Sequence, residues 1–139
     1  FHTGYNLEAL DIIRKALGTN DFDDAIDKGM VFYREHCFTE DGTAKYYSDN
    51  IYPLDMHSFV QGVLTMVKVG GGSSDLVLAR KIMDAAISAM YLPKKQRFIY
   101  QKHRWYSNKV NYIRWTQAWA YYGLAFFNRH MAEHNSETH

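Results

Sequence analysis
Two stretches of this chain carry no charge over lengths that a helix needs: Met56 to Val67, and Trp115 to Asn128. A helix that is apolar on every side is surrounded by protein rather than by water. Both stretches therefore predict inner helices, over about 54–69 and about 112–132. Trp115, Trp119, Tyr121 and Tyr122, at helical spacing on the second of these, read as core. Three further helices are predicted, at about 5–17, 21–36 and 74–92. Gly18 stops the first and Pro93 the last. The helices over 21–36 and 74–92 are amphipathic. The stripe of 74–92 is Leu76, Ala79, Met83, Ala86, Ile87 and Met90, so these are outer helices.

The connections alternate as well. Those after the first and third helices, "GTN" and "GGGSS", are short, whereas about 37–53 and about 93–111 are long. Each long one has the pattern of a β-hairpin. "FTEDGTAKYY" turns at Asp41-Gly42, and "RFIYQKHRWYS" has alternating residues about Lys102-His103. Their many aromatic residues argue against disorder. A sparse repeat accompanies this alternation. His2 and Asn6, His57 and Gln61, and Ile113 and Gln117 are each four apart, at offsets of 55 and then 56 residues. A period of this length points to stacked helical hairpins.

Composition narrows the classes. With 47% apolar residues among 139, the chain is able to build a core as a single domain, 1–139. Sixteen basic and 15 acidic residues give a net charge of +1 and no evident basic stripe, which argues against a nucleic-acid partner. The uncharged run of 14 residues ending at Asn128 is shorter than the roughly 18 apolar residues a membrane span needs, so no membrane partner is expected. One cysteine, Cys37, excludes an intrachain disulfide and suits a reducing, cytoplasmic setting.

The stretches "FHTGYNLEAL", "DGTAKYYSDNIYPLDMHSFVQG" and "RWYSNKVNYIRWTQAWAYYGLA" resemble the C-terminal part of six-hairpin glycosidase-like proteins, a bacterial group found with polysaccharide genes. The resemblance covers nearly the whole chain. It implies an all-α fold, a partial α/α toroid with small β-hairpins at one end, whose N-terminal part would lie outside this chain. It also implies carbohydrate binding or processing, with no reaction assigned. A partial toroid leaves helix flanks uncovered, so self-association is expected. In a toroid the inner helices start at one mouth. His2, Asn6, Asp55, His57, Gln61, Arg114 and Gln117 would gather there, with the loop aromatics Tyr52, Trp105 and Tyr106.

Each of these residues also has a structural reading. Asp55 is a candidate catalytic carboxylate or a cap at a helix start. His57 and His2 are a candidate acid/base pair, as an epimerase needs on the two faces of a sugar carbon, or two histidines hydrogen-bonded near helix starts. Gln61 and Gln117 need buried partners or a polar ligand. Arg114 suits a uronate carboxylate or an acidic neighbour. Tyr52, Trp105 and Tyr106 form a binding platform or pack within their own hairpins. No metal or other cofactor is expected, because His2, Asp55 and His57 match no metal-ligand spacing. No carboxylate pair at a telling spacing argues for a complete glycosidase site. Two alternatives stand beside carbohydrate processing by a glycosidase-like toroid: an epimerase- or lyase-type toroid, and a non-catalytic protein-interaction module.

Overall fold
The computed structural model describes residues 2–137, which form five main helices and five two-residue strands. The helices are α1 (His2–Leu17), α2 (Asp23–His36), α3 (Met56–Thr65), α4 (Ser73–Met90) and α5 (Ala118–Glu137). A π-helical turn, Met66–Gly70, extends α3, and another, Ile113–Gln117, leads into α5. The strands are β1 (Leu54–Asp55), β2 (Tyr91–Leu92), β3 (Arg97–Phe98), β4 (Gln101–Lys102) and β5 (Ser107–Asn108).

Local chemistry sets the boundaries. Asp55 has an extended backbone, and its carboxylate accepts the His57 N–H, which fixes the start of α3. Gly71, at φ 74°, closes the turn that follows α3. The Asp75 carboxylate accepts the Gly72 N–H at 3.4 Å, just before α4. α2 has Asp23 and Asp24 in its first turn and Arg34 and His36 in its last, as the helix dipole favours.

Every residue of α3 is buried. The helix lies between α1, α4 and α5, and α1 packs in turn on α2. Phe59, Met56, Leu64, Val60 and Val63 are sealed from solvent, with Ile82 and Met90 of α4 and Phe127 of α5 beside them. At Gly123 of α5 a Cβ would stand 2.7 Å from Val60 Cγ1, so the missing side chain sets how closely α5 approaches α3. Arg34 of α2 donates to both carboxylate oxygens of Asp75 on α4, at 2.6 and 3.0 Å.

The long connections are built unequally. β4 and β5 form an antiparallel hairpin, and β4 also pairs with β1, aligning Asp55 with Gln101. The Met56 N–H donates to the Tyr100 carbonyl at 3.2 Å, so this hairpin is fastened to the start of α3. β2 pairs with β3 immediately after α4. The earlier connection has only the bridges Phe38–Ala44 and Tyr47–Asn50. Its turn contains Gly42 at φ 86°, where a Cβ would meet the Lys81 backbone at 2.4 Å.

The burial expected of the fifth helix fails. The fifth helix is not an inner helix within this chain. Ala120 and Phe127 face the core, but Trp115 is 61% and Tyr121 74% exposed, and Tyr122 and Ile113 are exposed too. The helix packs on α3 along one side only. A charge-free sequence removes the cost of burying a face, but only a neighbour can bury it. Ile87 likewise faces solvent, and Ile82 takes its place in the α4 stripe. Among the described residues, no helix is long and apolar enough to cross a membrane.

Candidate functional site
The beginnings of three helices meet at one depression of about 570 Å³. Its lining is His2 and Tyr5 from α1, His57 from α3, and Arg114, Trp115 and Trp119 from the segment that opens α5. Trp119 is the central surface. Its ring stacks on Tyr5 at 6.1 Å between centroids and on His57 at 6.3 Å, while Trp115 lies 5.0 Å from His57. The size suits a small ligand, and flat rings beside a few polar groups are the usual make-up of such a pocket.

Asp55 lies behind this lining and is buried. Its Oδ1 accepts the His57 backbone N–H at 2.8 Å and lies 3.2 Å from His57 Nδ1, while Oδ2 accepts from Gln101 Nε2 at 2.7 Å. Both oxygens are thus engaged within the protein. When Nδ1 carries the proton donated to Asp55, Nε2 is the acceptor of the neutral ring. Asp55 serves as the cap that the sequence offered as its structural reading, and it also orients His57.

Tyr5 supplies a phenol whose pKa is pushed up to about 12 by burial, with the Asp55 and Glu8 carboxylates adding to the effect. It therefore keeps its proton at neutral pH. Burial and Asp55 also raise the Tyr100 and Tyr46 phenols. The carboxylate is thus accompanied by protonated phenols.

The other sequence candidates are dispersed. Asn6 is exposed on α1. Gln61 is buried beneath the site, where Nε2 donates to Glu8 at 2.8 Å and to Thr65 at 3.2 Å, while its Oε1 has no partner among the described residues. Gln117 spends its whole amide on one backbone unit, accepting the Phe98 N–H at 2.9 Å and donating to the Phe98 carbonyl at 2.7 Å. It anchors the second long connection to α5. Tyr52 lines a different depression with Thr39, Asp41 and Leu54. Trp105 and Tyr106 are exposed in the β4–β5 turn, where Tyr106 stacks on His103 at 4.2 Å. Arg114 is exposed and, among the described residues, forms no ion pair. Among those residues, no group of three or more His, Cys, Asp or Glu side chains is placed to hold a metal ion.

Sequence reasoning missed Tyr5 and assigned Trp115 and Trp119 to the core. The four-residue step between the two tryptophans was the available signal. It puts both rings on one helix face. Compared with known proteins, the chain matches no family model, no curated protein and no solved structure.

Proposed function
We propose that the depression at the three helix starts binds a carbohydrate, within a larger α/α toroid of which this chain supplies part. The observation that carries the reading is the pairing of exposed aromatic faces with an oriented histidine. The C–H face of a sugar ring packs on indole, as apolar surface does. Its hydroxyls need donors and acceptors at the rim, and the Tyr5 phenol, His57 Nε2 and the Arg114 guanidinium supply both kinds. The shared starting point of α1, α3 and the α5 segment supports the toroid, in which inner helices begin at one mouth. His57, held by Asp55, is the lining group best suited to move a proton. His2 is the second candidate for a paired acid and base.

The site contains two of the chain's three tryptophans, so intrinsic fluorescence tests the reading directly. Titration with a panel of neutral and acidic oligosaccharides is expected to change the emission. Trp119→Ala is expected to abolish binding, and His57→Gln to weaken it. A panel in which no glycan alters the emission or the melting temperature overturns the proposal.

A further inference from the structure
The net charge of +1 averages two unlike parts, so the even charge distribution expected from the sequence does not hold. Between Asp84 and Glu133 the chain has eight basic residues and no acidic one. Residues 1–84 hold 13 acidic residues against eight basic ones. The structure preserves this segregation. Arg14, Lys15, Lys28, Arg34 and Lys68 each hold a carboxylate. Among the described residues, none of the seven Lys and Arg side chains from Lys94 to Arg114 forms an ion pair. Their charge is not neutralised by an ion pair, which favours a positive field over this part of the surface.

Along the chain, these cations lead into the segment that lines the aromatic depression. Arg114 lines that depression, and Lys109, five residues earlier, lines a second one of about 460 Å³ with Lys94 and Lys95. Arg97 lies under this region. Its Nη2 donates to the Lys109 carbonyl at 2.9 Å, and its Nη1 is buried without a partner among the described residues. On the adjoining hairpin the Arg104 guanidinium stands 5.3 Å over the Trp105 ring, which is 86% exposed.

We propose that the ligand of this site is an acidic polysaccharide, with one carboxylate at Arg114 and the chain continuing along 109–111 to Lys94, Lys95 and Lys109. This rests on the carbohydrate reading above and adds the charge of the ligand. A guanidinium matches the planar carboxylate with two parallel N–H bonds. A polymer with carboxylates along its length can meet the cations of both depressions at once. The group at the ring-lined depression is a single guanidinium, whose paired N–H bonds match one carboxylate, and a nucleic acid is an outcome of the test.

The test is a fluorescence titration of the full chain at low and high salt, with oligomers of polygalacturonate, neutral dextran oligomers and a single-stranded oligonucleotide. Polygalacturonate is expected to bind roughly tenfold tighter than dextran, and to weaken with salt. Arg114→Gln, and separately the triple change Lys94→Gln, Lys95→Gln, Lys109→Gln, are each expected to weaken it by roughly tenfold. These side chains are exposed, so the melting temperature should hold. Dextran binding as tightly, with Arg114→Gln unchanged, overturns the acidic ligand and leaves the carbohydrate reading standing. An oligonucleotide binding as tightly as polygalacturonate marks a general polyanion surface and overturns the proposal. Binding of neither glycan removes both readings.

Discussion

Asp55 grips His57 at two points, taking its backbone N–H at 2.8 Å and facing its Nδ1 at 3.2 Å, so one carboxylate both starts α3 and aims the imidazole. The two duties are separable by mutation. Asp55→Ala removes the cap and the Gln101 bond, and is expected to cost about 1–2 kcal/mol of stability. His57→Gln leaves the cap intact, so it is expected to cost less while weakening glycan binding. Chemical denaturation and glycan titration on the same two variants check both halves. Equal loss of stability in the two would mean that His57 is chiefly a core residue.

Core and site make different demands on aromatic residues. Phe59 is sealed within α3, and Phe59→Ala is expected to cost about 3–5 kcal/mol. Trp119 is only half-buried, stacked between Tyr5 and His57. Trp119→Ala should therefore destabilise less than Phe59→Ala, although it removes the larger side chain. Thermal melts of the two variants decide the order.

Gly18 and Gly42 share a positive φ, at 62° and 86°, but not their surroundings. A Cβ at Gly18 meets nothing within 4 Å, whereas one at Gly42 would strike the Lys81 backbone at 2.4 Å. Gly18→Ala is expected to cost about 1 kcal/mol from conformation alone. Gly42→Ala should cost clearly more, because the turn must also lift off α4. Urea midpoints of the pair measure the difference.

Stability should fall in acid through Asp11. Burial raises its carboxyl, but hydrogen bonds from Lys15 and Arg14 outweigh that and hold its pKa below the ordinary value. A depressed folded-state pKa stabilises the native state above the unfolded carboxyl's pKa of about 3.9. That contribution is lost as pH falls through the lower folded-state value. Asp11→Asn is expected to flatten the stability profile below about pH 4, with little change in its shape above pH 5. Denaturation midpoints across this range test the sign.

The open side of α5 predicts association. Ile113, Trp115 and Tyr121 are all more exposed than buried, on a segment that carries few charges. The chain is expected to self-associate as concentration rises, and Tyr121→Glu should suppress this without lowering the melting temperature. Sedimentation velocity over a concentration series gives the answer. A monomer at every concentration would falsify the expectation.

The number and order of the helices were legible in the residues, because apolar spacing, caps and breakers act within a few positions of the chain. Asp55 before an apolar run, Gly18, and the charge-free stretch from Met56 all exert their effect locally. The common origin of three helices was foreseeable too, since loop lengths constrain which ends adjoin. Burial of α5 was not. Its sequence permits a buried helix, but exposure depends on which neighbours are present, and here α3 is its main one. For the same reason Trp119 proved to be a pocket surface, and Gln117 proved to be a clamp on Phe98. Residue type determined what each side chain was able to do. Only tertiary packing, by bringing distant segments within hydrogen-bond reach, decided which partner each one met.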